Sequence, residues 1–399
     1  MKVTVQNGAL RGKLTAPSSK SDAHRALICA ALSEASTLLI MDGGNEDIDA
    51  TANCLEKMGA KIEKTAKGIK VSPMTDRAKA PNLDCGESGS TLRFLLPVAA
   101  ATVEDARFSG RGRLPERPIG DILDALEENG CHISGLGLPF SVSGGLMAGE
   151  YKISGNVSSQ FVSGLLMALP LLDGESRISL TNPLESAAYV DMTVNTLKRF
   201  GVKSSARGAD YTVPGNQTFR SPGEYQVEGD WSGAAFFLAA GAIGGAVEVL
   251  GLGEYSAQPD KGILGFLKKM PDAVDVSGFP DLFPILAVLA CAKRGDTLLQ
   301  GAARLRIKES DRIAETARLV RDLGGSAEEG VDTLLIKGTG ILCGGETQSA
   351  GDHRIAMSAA IAAGICQNPV TIHGAEAVNK SYPAFWDEIK KLTTGKGDA

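Results

Sequence analysis

Residues 19–40 read SKSDAHRALICAALSEASTLLI. Small polar residues lead, a run of alanine, leucine and isoleucine follows, and a β-branched stretch closes. The apolar run fits a buried helix and the close fits a strand. Lys20, Ser21 and Arg25 crowd the start of that helix. A helix N-terminus already carries free N–H groups and a partial positive charge. Cations and hydroxyls added there suit an anion; taken alone, the stretch reads equally well as a serine cap with two solvated charges.

The pattern recurs. Residues 88–110 (SGSTLRFLLPVAAATVEDARFSG), 158–180 (SSQFVSGLLMALPLLDGESRISL), 230–251 (DWSGAAFFLAAGAIGGAVEVLG), 281–301 (DLFPILAVLACAKRGDTLLQG) and 352–374 (DHRIAMSAAIAAGICQNPVTIHG) share it. After each strand comes an amphipathic helix, among them DIDATANCLEKMGA, YVDMTVNTLKRFG, DKGILGFLKKM and KESDRIAETARLVRDLGG. Apolar residues repeat there at helical spacing, and a glycine or a basic end closes most of them. The unit is a βαβ-type module used six times. Six such units exceed one core, so the spacing predicts an α/β protein of two domains with three units each.

The bulk numbers narrow the function. The chain has 399 residues, 43% hydrophobic and 22% charged, which fits a globular protein with ample core. A net charge of -6 and 5% aromatic residues argue against nucleic-acid binding. Seven cysteines without a C-x-x-C pair fit reduced thiols in the cytoplasm. The start, MKVTVQNGAL, reads as a strand and not a signal peptide, and WSGAAFFLAAGAIGGAV as a core helix running into a strand and not a membrane span. There is no GxxxxGK[ST] loop, no GxSxG elbow, and four dispersed histidines form no metal-ligand pattern. What remains is a set of cations near helix starts and loops: Lys20, Arg25, Arg93, Arg117, Lys308, Arg312, Arg354 and Lys380, with Glu309, Asp352 and His353 among them. Singly, each suits a solvated charge. Together they suit acid–base and electrostatic group transfer on anionic substrates without metal or cofactor.

Nine collinear motifs carry a resemblance: APSSKSDAHRAL, CGESGSTLR, RLPERPIGDILDAL, GNVSSQF, SAAYVDMT, FPDLFPILA, RIKESDRIAE, GDHRIAMSAA and NKSYPAFWDEI. Over essentially its whole length the chain resembles the 5-enolpyruvylshikimate-3-phosphate synthases. The resemblance implies the enolpyruvyl transferase fold, with two domains of three βαββαβ repeats around a pseudo-threefold axis. It implies a discontinuous domain (1–18 plus 228–399), an inserted domain (19–227), and an active site in the cleft between them. The implied reaction adds the 5-hydroxyl of shikimate 3-phosphate to C2 of phosphoenolpyruvate and expels phosphate through a tetrahedral ketal. It serves chorismate and aromatic amino-acid synthesis.

By the same resemblance Lys20, Gly89, Arg117, Gln160 and Lys380 hold the phosphoenolpyruvate phosphate, while Arg312 and Arg354 grip its carboxylate. Ser21, Arg25, Ser158, Ser159, Ser186, Tyr189 and Lys308 hold shikimate 3-phosphate, with Lys20, Gln160 and Asp281 also in contact. Asp281 is the expected base near the 5-hydroxyl, and Glu309 and Lys20 are candidates for proton traffic at the methylene carbon. The expected protein is a cytoplasmic monomer without cofactor, metal, nucleic acid or membrane. Glyphosate, an anionic mimic of phosphoenolpyruvate, is the expected competitor. The family usually has Asn where this chain has Glu87, and some members have Asn where it has Arg304. The nearest alternative is the sister transferase acting on UDP-N-acetylglucosamine. It typically carries a reactive Cys in a loop, whereas GRGRLPERP has none, and Asn after its first lysine, where this chain has Ser21. A non-catalytic anion-binding scaffold is the remote one.

Overall fold

The structure, a computed structural model, describes residues 1–393. Among the described residues twelve α-helices run in chain order: α1 (Lys20–Leu32), α2 (Glu46–Met58), α3 (Gly89–Thr102), α4 (Gly120–Glu128), α5 (Ser159–Ala168), α6 (Ala187–Arg199), α7 (Trp231–Ala242), α8 (Ile263–Lys268), α9 (Phe283–Ala292), α10 (Arg312–Asp322), α11 (His353–Ala362) and α12 (Phe385–Thr393). The chain divides into two compact units, one of Met1–Ser19 with the chain from Glu228, the other Lys20–Val227. Ser19 falls with the first unit because its N–H donates to the Glu228 carbonyl and its hydroxyl to Gln258 Oε1.

The unit Lys20–Val227 contains three four-stranded sheets of one design. In the first, Thr37–Ile40 pairs parallel with Glu224–Gln226 and antiparallel with Gly68–Ser72, which pairs in turn with Lys61–Thr65. Asp105–Ser109 and Ser176–Leu180 hold the corresponding places in the other two. Beside these sheets lie the apolar helices α1, α3 and α5, buried almost throughout. Helices α3 and α5 approach closely at Gly164, where a Cβ would come within 2.4 Å of the Arg93 carbonyl oxygen. Helices α2, α4 and α6 bury one face and expose the other, as their apolar spacing requires. Gly59 ends α2 in the left-handed conformation at φ 112°, where its N–H satisfies the Leu55 and Glu56 carbonyls.

The other unit varies the scheme, with one four-stranded, one three-stranded and one two-stranded sheet among its described residues. Arg294–Gln300 lies between Ala273–Asp275 and Leu334–Thr339, and Val370–His373 lies between Gly345–Gln348 and the N-terminal strand Lys2–Val5. The next strand, Arg11–Thr15, pairs with Ala246–Leu250. The first residues of the chain thus complete two sheets of this unit, and α7, α9 and α11 form its buried helices. The two hydrophobic cores share no residue.

One expected helix is shorter than its pattern. DKGILGFLKKM gives a 3₁₀ turn at Pro259–Gly262 and then six residues of α8, because Gly262 and Gly265 weaken it and Pro271 follows. Among the described residues no helix is long and apolar enough to cross a membrane.

Candidate active site

The polar helix starts follow from capping. Ser88, Ser158, Asp230 and Asp352 each accept a hydrogen bond from a backbone N–H in the first turn of α3, α5, α7 and α11. These short side chains satisfy first-turn donors that have no partner within the helix. Asp281 differs: it sits in the 3₁₀ turn Pro280–Leu282, just before α9.

In the unit Lys20–Val227, Lys20 opens α1 and its Nζ meets Asp47 Oδ2 at 2.7 Å. Asp47 stands in the first turn of α2, where a negative charge also complements the helix dipole. Arg25, one turn into α1, is 2% exposed. Its Nε–H donates to Thr193 Oγ1 at 2.7 Å, Nη1 to the Ser21 carbonyl at 2.6 Å and Nη2 to the Tyr189 carbonyl at 2.7 Å. The Phe94 ring lies 4.9 Å from its Cζ. Burial lowers the Arg25 pKa to about 10, against a raising influence from Asp22. The nearby Ser186 takes a left-handed φ of 56° at the start of α6, a conformation that L residues adopt rarely.

Between Lys20 and Arg25 lies His24, completely buried. Its Nδ1 is 2.8 Å from Thr51 Oγ1, which is 2.7 Å from Thr91 Oγ1, which donates to Ser88 Oγ at 2.8 Å. This chain ties the starts of α1 and α3 through α2. Burial, then Lys20 and Arg25, push the His24 pKa well below its usual value, so the imidazole stays neutral.

A second cluster surrounds Gly89. A Cβ there would lie 2.8 Å from Arg93 Nη1 and 2.9 Å from Arg117 Nη1, so both guanidiniums converge on this backbone. Arg93 Nη1 donates to Gln160 Oε1 at 2.9 Å, and Gln160 Nε2 donates to Ser90 Oγ at 2.8 Å. The α5 start, with Ser158 and Ser159 buried, is thereby joined to that of α3. Glu87 leans on the loop that leads to Arg117: a Cβ on Gly112 would meet its Cδ at 2.6 Å.

In the other unit, Arg312 is the hub. It is 1% exposed and touches three carboxylates: Asp281 at 2.8 Å, Glu309 at 2.6 Å and Asp352 at 2.8 Å. As the first residue of α10 its side chain leans back over the preceding turn, which lets it reach Glu309 three residues earlier. Asp352, fully buried, also accepts from Ser310 Oγ at 3.0 Å and caps Arg354 N at 2.9 Å. Arg354 Nη2 donates to Asp281 Oδ2 at 2.7 Å. Burial works against ionisation of Asp281, but Arg354, Arg312 and Lys308 outweigh it and hold the carboxyl well below the usual range. Lys308 is half-buried, and desolvation lowers its pKa to about 8 although Asp281 and Glu309 favour its charge. Arg304 adds to that lowering and donates to the Ser277 carbonyl at 3.0 Å. Lys380 Nζ donates to the Gly351 carbonyl at 2.7 Å, just before Asp352.

Each unit thus gathers its own group of expected site residues: Lys20, Ser21, Arg25, Ser186 and Tyr189 with Gly89, Arg117, Ser158, Ser159 and Gln160 in one, and Asp281, Lys308, Glu309, Arg312, Arg354 and Lys380 in the other. Sequence reasoning missed Asp47, Thr51, Thr91, Ser163 and Thr193. Thr193 stands 168 residues from the Arg25 it holds, and no local pattern marks it.

Known proteins bear on this arrangement. The sequence profile described as EPSP synthase (3-phosphoshikimate 1-carboxyvinyltransferase) matches residues 5–273 and 260–389. The 3-phosphoshikimate 1-carboxyvinyltransferase of Clostridium acetobutylicum is 42% identical over 98% of this chain and 97% of its own, and that of Clostridium kluyveri is 41% identical over the same shares. A solved structure of EPSP synthase from Acinetobacter baumannii superposes with a TM-score of 0.82 at 29% identity, covering 98% of each chain. With sequence and fold in agreement from end to end, the chain belongs to the EPSP synthase (3-phosphoshikimate 1-carboxyvinyltransferase) family.

Proposed function

We propose that these two groups of residues carry enolpyruvyl transfer from phosphoenolpyruvate to the 5-hydroxyl of shikimate 3-phosphate, with release of phosphate. The observation that carries the reading is the Asp281–Arg312–Arg354 cluster with Glu309 attached. Arg312 and Arg354 offer the planar forks that suit a carboxylate. In the free protein they keep Asp281 ionised and weakly basic. Phosphoenolpyruvate arriving on them offsets their charge, so Asp281 gains basicity at the moment a 5-hydroxyl proton must leave. Glu309, held on the same Arg312, is a candidate to exchange a proton with the methylene carbon.

The other group takes the phosphates. Gly89 between Arg93 and Arg117, with Gln160, suits the phosphate of phosphoenolpyruvate, since a backbone without Cβ admits an anion between two guanidiniums. Lys20 neutralises the leaving phosphate and is a second candidate to move the methylene proton. Arg25, with Ser21, Ser158, Ser159, Ser186, Tyr189 and Lys308, takes shikimate 3-phosphate. Lys380 completes the phosphoenolpyruvate group. Two polyanions repel each other, and concentrated cations at low dielectric offset that repulsion. Free cysteines, six of the seven buried, support a cytoplasmic protein, which we take to act as a monomer.

The test is phosphate release, with each substrate alone and then both together. Release is expected only with both. Release from phosphoenolpyruvate with UDP-N-acetylglucosamine in place of shikimate 3-phosphate contradicts the reading.

A further inference from the structure

All three hydrogen bonds that fix Arg25 end on neutral oxygens, and one of them belongs to a side chain. Thr193 Oγ1 accepts from Nε–H at 2.7 Å. Thr193 sits on α6 one turn beyond Tyr189, whose carbonyl accepts from Nη2 at 2.7 Å. Helix α6 thus presents two acceptors in register to one guanidinium. The Thr193 hydroxyl then donates to Ser163 Oγ on α5 at 2.8 Å, with the Tyr189 carbonyl 3.2 Å away as a second acceptor. Thr193 and Ser163 are both fully buried. Valine would fill the Thr193 volume without the cost of desolvating a hydroxyl, so the hydroxyl at this place is explained by the bonds it makes.

A guanidinium is planar and its donors form a rigid fork. Fixing Nε and one N–H on each terminal nitrogen sets the plane and leaves one N–H on each terminal nitrogen for a ligand. We infer that Thr193, backed by Ser163, is a positioning residue for shikimate 3-phosphate: it orients the Arg25 guanidinium so that the remaining N–H groups meet an anionic group of that substrate. The inference rests on the reading that Arg25 binds that substrate. Thr193 touches no substrate; it acts through Arg25.

The experiment is steady-state kinetics of Thr193→Val, Thr193→Ser, Ser163→Ala, Arg25→Ala and the double variant Arg25→Ala/Thr193→Val, with each substrate varied in turn. Thr193→Val is expected to raise KM for shikimate 3-phosphate about tenfold, the scale of one hydrogen bond to a charged group, with kcat and KM for phosphoenolpyruvate within about twofold. Thr193→Ser restores the acceptor and returns KM toward the parent. Ser163→Ala raises the same KM by about two- to threefold, because it removes a bond one step further out. The double variant is no worse than Arg25→Ala alone, since both changes remove one interaction. If Thr193→Val does not fold, Ser163→Ala and its double with Arg25→Ala carry the same test.

Should Arg25→Ala raise KM for shikimate 3-phosphate while the Thr193 and Ser163 variants leave it parental, the positioning role is overturned and the reading of Arg25 stands. Should Arg25→Ala itself leave that KM parental, both fall. Additive losses in the double variant, or a fall in kcat without a KM change in Thr193→Val, also overturn the inference.

Discussion

Arg25 and Arg312 are both buried arginines at helix starts, one in each unit, and they are held in opposite ways. Arg312 is enclosed by three carboxylates, which raise its pKa well above the ordinary value although burial opposes them. Arg25 is bonded to one hydroxyl and two carbonyls, and burial lowers its pKa to about 10. Among the described residues no carboxylate lies within ion-pair distance of Arg25. The difference teaches how each cation is balanced. A desolvated charge bonded to neutral acceptors has only the more distant Asp22 to favour it, and under the proposed function an incoming anion adds counter-charge. A charge wrapped by carboxylates is internally balanced and tunes those carboxylates; under the proposed function an anionic ligand shares it with them.

The contrast between the two arginines can be broken in several places. The largest effect is expected one turn before Arg25. Lys20→Met removes a cation whose single carboxylate partner among the described residues is Asp47, and kcat is expected to fall by on the order of a thousandfold or more as charge stabilisation and proton transfer are lost together. Near-parental kcat removes Lys20 from the chemistry.

Next comes stability. Arg312→Met strips the counter-charge from Asp352, which is fully buried, and is expected to cost about 3–5 kcal/mol in a urea unfolding series. Arg25→Met leaves three neutral acceptors unmatched and removes the more distant attraction to Asp22, and is expected to cost less, about 1–3 kcal/mol. Equal losses, or the reverse order, mean that the two arginines are balanced alike.

The smallest effect concerns Lys308, whose pKa burial lowers from 10.5 to about 8. Its charge is present below that pH and lost above it, so kcat/KM for shikimate 3-phosphate is expected to fall as pH rises through about 8. Stability moves the other way. Because the folded pKa lies below the unfolded one, the Lys308 contribution to stability is full above pH 10.5 and is lost as pH falls to about 8. Lys308→Arg, which stays charged, is expected to shift the kinetic limb upward. An unmoved limb assigns it to another group.

Much of the fold and part of the site are legible in the amino-acid sequence alone. Ser88, Ser158, Asp230 and Asp352 stand where small apolar runs begin, and capping chemistry is local, so a pattern reads it. The resemblance supplies the fold and reaction, since its nine motifs span nearly the whole chain. The balance of charge around each cation is not legible. Arg312 meets Asp281 from 31 residues away and Asp352 from 40, and Arg25 meets Thr193 from 168. A sequence displays the cations at helix starts but not which oxygens the fold brings to them. The repeat pattern puts Asp281 at the opening of its helix; the residue instead precedes α9 by a 3₁₀ turn, because Pro280 starts that turn and Pro284 falls in the first turn of the helix that follows.

The most direct measurement is calorimetric titration of shikimate 3-phosphate, without phosphoenolpyruvate, into the parent protein and into Arg25→Gln. Glutamine keeps polar atoms near the neutral acceptors while removing the charge. If Arg25 meets an anionic group of this substrate, Kd rises about tenfold to a hundredfold, the scale of one charge-assisted contact, while thermal unfolding stays close to the parent. An unchanged Kd would contradict this, because Arg25 would then be a structural cation with no anion to meet.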